Sequence, residues 1–213
     1  SYLQRSPMTK YPIPARTTRV ETVVVNSRFI ATIGRADTVT EARQFIQAIR
    51  DEMPDATLHV YAFRVGYGGS VTEGMSDDGE PSGTSGPPVL AVLRGADLGD
   101  VVIVVTRYFG GTKLGTGGLV RAYGGTAKEA IAALPTELKI EKQPVGIAVP
   151  YSFYERLKLL LAAHQALITS EDFAADVTVY AVLPVDQVAS LEAAIANLTA
   201  GQSALVRLGE PST

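Results

Sequence analysis

Glycine is distributed very unevenly along this 213-residue chain: sixteen of its twenty glycines lie between Gly66 and Gly125, and only three follow Pro144. Glycine at that density marks backbone that must enter the φ > 0 region or approach other groups closely. Any fold for this chain must therefore gather its tight turns into the middle third, with more regular structure on either side. Two segments hold most of these glycines. The first, "SDDGEPSGTSGPP" (Ser76 to Pro88), is acidic and proline-rich. The second, "RYFGGTKLGTGGLVRAYGGT" (Arg107 to Thr126), is basic. From Val101 to Lys128 there are four cationic residues (Arg107, Lys113, Arg121, Lys128) and no acidic one, whereas Gly66 to Asp100 carries six acidic residues against Arg94 alone.

The rest of the composition narrows the function classes. A hydrophobic fraction of 46% implies a well-filled core. With no cysteine there are no disulfides, thiolate metal sites or cysteine nucleophiles. Two histidines, His59 and His164, make a histidine-rich zinc site improbable. The opening segment "SYLQRSPMTKYPIPARTTRV" has no apolar h-region and does not read as a signal peptide. No apolar run approaches the roughly 18 residues of a membrane span. These features lead us to expect a soluble cytoplasmic protein with no membrane contact. The net charge of −3 does not announce a broad nucleic-acid binder.

Patterning predicts the elements. "RVETVVVNSRFIATIG" reads as a hairpin turning at Asn26-Ser27. "TVTEARQFIQAIRDEM" reads as a helix with Thr38 and Glu41 as a capping box, stopped by Pro54. "TLHVYAFRV" reads as a strand, Gly66 to Pro88 as a glycine-rich loop, and "PPVLAVLRG" as a short helix with proline in its first turn. "VVIVVTRYF" is a continuous apolar run, expected as a central strand covered on both faces. "LVRAYGGTAKEAIAAL" reads as a helix despite two internal glycines, and "LPTELKIEKQP" as a linker. Beyond it the order β-α-β-β-α-β, with Ser152 and Glu155 spaced as a second capping box, is that of a ferredoxin-like domain. His164 falls at a helix C-terminus, where a structural role suits it.

No known phosphate loop is present. G-x-x-x-x-G-K-[ST] does not occur, and Gly115-Thr116-Gly117-Gly118-Leu119-Val120 lacks the last glycine of G-x-G-x-x-G. The local chemistry still favours an anion, because a strand ends at Arg107 and a glycine-rich turn enters a helix N-terminus. Gly110, Gly111, Gly115, Gly117 and Gly118 would let backbone approach a ligand. Arg107, Lys113 and Arg121 supply charge, while Tyr108 and Phe109 offer faces to bases. The competing reading is a packed connection whose arginines pair with Asp77, Asp78 or Glu80. Those carboxylates could instead hold Mg²⁺ or Ca²⁺, although their spacing is not that of an EF-hand. His59, on the strand before them, is a weaker candidate acid or base. Ser82, Thr84 and Ser85 lack the G-x-S-x-G context of a hydrolase nucleophile.

"SDDGEPSGTSGPPVL" followed by "VVIVVTRYFGGTKLGTGGLVRAYGG" resembles the signature of the Impact family, in its bacterial, YigZ-like branch. His59 stands where that family has a histidine, while Val60, Phe63 and Gly83-Thr84-Ser85-Gly86 depart mildly from its pattern. The resemblance spans residues 17–138 and implies an α/β domain like domain 2 of ribosomal protein S5. Residues 143–209 are then a ferredoxin-like domain similar to the last domain of the ribosomal translocase. The resemblance implies a non-catalytic, translation-associated protein that binds RNA or a ribosomal surface and needs no cofactor. Its contact face would be Arg107, Tyr108, Phe109 and the glycine-rich loop, with Asp77, Asp78 and Glu80 holding that loop in shape. Two further expectations stay open. One is an enzyme binding a phosphorylated or nucleotide ligand with Mg²⁺ between the two loops. The other is a protein-docking module, the role the eukaryotic relatives play.

Overall fold

The computed structural model describes residues 10–213 as a mixed α/β protein of two compact units, 11–138 and 139–213. The first residues of the opening segment read above for a signal sequence, 1–9, lie outside the described residues.

The first unit is built on a five-stranded antiparallel sheet: β2 (Thr18–Val24), β3 (Ser27–Arg35), β6 (Val101–Tyr108), β4 (Leu58–Tyr67) and β5 (Ser70–Ser76), in that spatial order. The β2–β3 hairpin turns through Val25 and Asn26, both with positive φ (46° and 65°), the backbone demanded by a two-residue turn between twisted strands. Helix α1 (Val39–Glu52) covers one face, packing Ala42, Ile46 and Ile49 against Phe63, Val102 and Val104. Its start is as the spacing predicts: the Thr38 hydroxyl accepts from the Glu41 amide at 3.0 Å. Glu41 reaches back one residue further than a capping box requires, to the Asp37 amide at 2.6 Å.

Helices α2 (Gly86–Gly95) and α3 (Gly115–Ala133) cover the other face, where Val101, Ile103 and Val105 meet Val89, Leu93, Leu119 and Tyr123. Strand β6 is thus central and buried on both sides, as its unbroken apolar run implies. Val120, Gly124 and Gly125 lie on the outward side of α3; a Cβ on Gly124 would make only ordinary contact with Pro88, and one on Gly125 would meet nothing within 4 Å. Each of these glycines weakens the helix by about 1 kcal/mol relative to alanine, and no packing inside the unit requires them.

Two features escape the sequence pattern. Strand β5 lies inside what reads as loop, as an edge strand closed onto β4 by Gly68-Gly69. The segment read as a linker contains β7 (Thr136–Ile140), which pairs with β1 (Lys10–Pro14) in a separate two-stranded sheet.

The second unit holds β8 (Lys142–Val149), α4 (Tyr154–Ala163), β9 (Leu167–Phe173), β10 (Val177–Pro184), α5 (Val188–Leu198) and β11 (Leu205–Arg207). Its antiparallel sheet has the order β11-β8-β10-β9, which is the ferredoxin-like arrangement of a split βαβ. The second capping box does not form. Tyr151–Phe153 makes a 3-10 turn after Pro150, so α4 starts at Tyr154 with no side-chain cap and Ser152 lies outside the capping position. His164 sits at the C-terminus of α4, bonded to the Leu160 carbonyl and Ser190. Among the described residues no helix is long and apolar enough to cross a membrane.

Candidate functional site

Register fixes which side chains can meet. Val101, Ile103 and Val105 face α2 and α3, so Arg107 follows on that face, whereas Thr106 and Tyr108 point toward α1. In β4, Leu58 pairs with Arg107 and His59 with Thr106. The sheet therefore separates the sequence-predicted residues into two groups.

On the α2/α3 face the acidic and glycine-rich loops meet. Arg107 and Glu80 form an ion pair with contacts of 2.7 and 3.0 Å. Only 7% of the Arg107 side chain and 6% of the Glu80 side chain are exposed. A second Arg107 nitrogen donates to the Ser27 hydroxyl at 3.2 Å, and the guanidinium lies over the rings of Phe29 and Phe109 at 5.5 and 5.4 Å. Arg107 is thus committed inside the protein. Tyr123, fully buried edge-on to Phe29, carries a phenol that burial, with Glu80's charge adding, drives far above its ordinary pKa; it stays neutral.

Ser27 is the residue that sequence reasoning missed. Its hydroxyl also accepts from the Gly110 amide at 3.2 Å, tying the β2–β3 hairpin to the glycine-rich loop. It lies 80 positions from Arg107, and a lone serine after a turn gives no signal of its own. Gly110 is pressed against the same hairpin: a Cβ there would lie 2.2 Å from the backbone carbon and oxygen of Asn26.

The acidic loop is organised by Asp77. Its carboxylate accepts from the amides of Gly83 (2.9 Å), Ser85 (3.2 Å) and Gly86 (2.8 Å) and from the Ser85 hydroxyl (2.9 Å). Partial burial opposes ionisation, but these donors outweigh it and hold the group below its ordinary pKa. Asp77 thereby caps the start of α2. Asp78 turns the other way, accepting from the His59 backbone amide at 2.8 Å with Arg50 at 4.0 Å. The three carboxylates do not converge, and among the described residues no three Asp, Glu or His side chains form a metal-binding cluster.

Between the loops lies a cavity of about 420 Å³, lined by Leu58, Glu80, Pro81, Arg107, Phe109, Lys113 and the start of α3, Gly115 and Thr116 among others. Phe109 is 47% exposed. Lys113 is exposed and makes no ion pair among the described residues. Leu114, the residue before α3, offers no side-chain cap, so among the described residues the helix's first amides are left to solvent or a ligand. Gly111 lies in the exposed part of the loop. Gly117 and Gly118 form the first turn of the helix, and the guanidinium of exposed Arg121 folds back over Gly117.

His59 and Tyr108 are on the opposite face of the sheet and do not line this cavity. Tyr108 donates to Asp55 at 3.0 Å and stacks under Arg28 at 5.1 Å. His59 is 8% exposed. Its Nε2 donates to the Met53 carbonyl at 3.0 Å, so Nδ1 accepts from the Thr106 hydroxyl at 3.0 Å. Burial holds the imidazole below its ordinary pKa, partly offset by the Met53 carbonyl and Asp78. The unfolded chain takes up this proton first, so the stability that neutral His59 contributes is complete above about pH 6.5 and is lost as pH falls through the folded value. We expect urea unfolding between pH 7.5 and 5 to show a steeper loss of stability in the wild type than in His59→Gln. Parallel curves would remove His59 as the linked group.

Fold and site together define a two-domain α/β protein whose first domain closes a basic, glycine-rich loop onto an acidic one. The chain belongs to the IMPACT family. The model of the Impact N-terminal domain matches residues 25–131, and a domain of unknown function (DUF1949) matches 147–202. The IMPACT family member YigZ of Escherichia coli (strain K12) is 36% identical over 204 residues, covering 95% of this chain and all of that protein. The IMPACT family member YvyE of Bacillus subtilis (strain 168) is 47% identical over 111 residues, 52% of this chain and 51% of its own length. A crystal structure of a hypothetical protein, 37% identical, superposes with a TM-score of 0.67 over 95% of this chain and 99% of that one.

Proposed function

We propose that this IMPACT family member is a translation-associated protein that binds RNA, including ribosomal RNA, at the cavity between its two loops. One juxtaposition carries the reading: an exposed aromatic ring, an exposed lysine and a helix N-terminus with no side-chain cap among the described residues open on the same cavity. The ring of Phe109 suits a stacked base, while Lys113 and the first amides of α3 suit a phosphate. Arg107 positions Phe109 rather than touching phosphate, and Arg121 adds charge at the first turn of α3.

The test is anisotropy of a labelled single-stranded RNA, together with co-sedimentation with ribosomal particles, across a salt series. We expect affinity to fall with salt, and Lys113→Ala/Arg121→Ala to flatten the log–log slope by about 1.4, two single-strand phosphate contacts. Phe109→Ala is expected to cost about 1–3 kcal/mol of binding. Salt-independent binding, or none, would sink the proposal. A second reading is favoured by the cavity's volume of about 420 Å³, within the size range of small-ligand pockets. It is a small phosphorylated ligand, and Mg²⁺-dependent mononucleotide binding without RNA binding would select it.

A further inference from the structure

A second concavity lies on the outer surface of the first domain. It is a groove of about 720 Å³ running between α2 and α3, with Ala91, Val92, Gly95, Val120, Gly124 and Gly125 among its walls. Val120 is 41% exposed at its edge. Arg121 and Lys128 also line it, no acidic residue does, and neither cation has an ion-pair partner among the described residues. These two are seven residues apart on one helix, about 10 Å along its axis.

We infer that this groove seats an amphipathic helix of a partner protein, one with an apolar stripe flanked by carboxylates two turns apart. Three observations converge on that occupant. The glycine pair weakens α3 without serving any contact inside the unit, and a Cβ on Gly125 would enter open space. Gly124 and Gly125 leave the wall at backbone level, where a second helix can approach closely. The apolar walls suit side chains rather than a polyanion, because no aromatic side chain lines the groove for a base to stack on. Finally, two unpaired cations on an otherwise apolar surface are complementary to a pair of acidic side chains, which would fix register and direction. The groove shares Arg121 with the RNA face, but Gly124, Gly125 and Lys128 line the groove and not the cavity, so changes at those three positions test it apart from RNA binding.

The experiment uses the full chain and a synthetic helical peptide with leucine and alanine on one face and glutamates spaced seven apart beside it. A companion peptide carries lysine in place of glutamate. We expect the acidic peptide to shift the amide resonances of Gly124, Gly125 and Lys128, leaving those of Lys113 and Gly115 unmoved. Lys128→Glu should weaken it about tenfold and restore binding of the lysine peptide. Gly125→Leu should abolish binding while the protein, checked by its melting curve, remains folded. Binding of both peptides alike, shifts outside the groove, or no binding would overturn the inference. So would self-association of the chain that Gly125→Leu abolishes.

Discussion

Glu80→Met and Arg107→Met are each expected to destabilise the first domain by about 3–5 kcal/mol, because each strands a buried charge. Both side chains are more than nine-tenths buried, so neither remaining ion can be rehydrated without opening the loops. Arg107→Met also forfeits the stacking against Phe29 and Phe109, worth about 0.5–1 kcal/mol for each pair. The double variant is the informative one. With both charges gone, an apolar pair of similar volume sits among Leu58, Phe109 and Leu119, and we expect it to be more stable than either single variant. Urea unfolding of the four proteins gives the cycle. If the two single losses simply add, the pair is not coupled and the loops are held together by other contacts.

Gly110→Ala is expected to cost about 3 kcal/mol, at the upper end of overpacking. The added methyl would lie 2.2 Å from the carbon and oxygen of the Asn26 carbonyl. That backbone cannot yield easily, since Val25 and Asn26 are already held at positive φ and Ser27 anchors the loop from the other side. Gly111→Ala is the control. Gly111 itself has φ of 89° but open space around it, so only backbone strain of about 1–2 kcal/mol applies. Equal losses in the two variants, measured by urea unfolding, would show that the close approach to the hairpin is not what requires glycine.

Much of this architecture can be read from local pattern. The capping interaction at Thr38 needs only residues three apart. The apolar run of β6 announces a strand covered on both sides, and the element order after Pro144 yields the ferredoxin-like sheet. Strands β5 and β7 were hidden for a shared reason: each lies on the margin of its sheet, where few apolar side chains are needed and glycine or charge is tolerated. The family signature brings His59, Tyr108 and Arg107 to notice together, yet it carries no information about strand parity. Parity places His59 and Tyr108 behind the sheet and Arg107 in front of it. Ser27 shows in the sequence only as part of a turn, because its importance arises from two hydrogen bonds across 80 and 83 residues.

The central position of β6 also sets the order in which the molecule can assemble. Its partners come from far upstream: Arg28 opposite Tyr108, and His59 opposite Thr106. Every such pairing closes a long loop before any contact rewards it, so docking of β6 is expected to be the slow event in folding of the first domain. The walls of the cavity come from the segments around Leu58, Glu80 and Arg107 to Thr116, and they meet only once that strand is in place. The cavity is therefore a property of the finished domain alone, so a nascent or partly melted chain has no such surface to offer. Whatever occupies it selects for completed protein and, by mass action, protects it from unfolding.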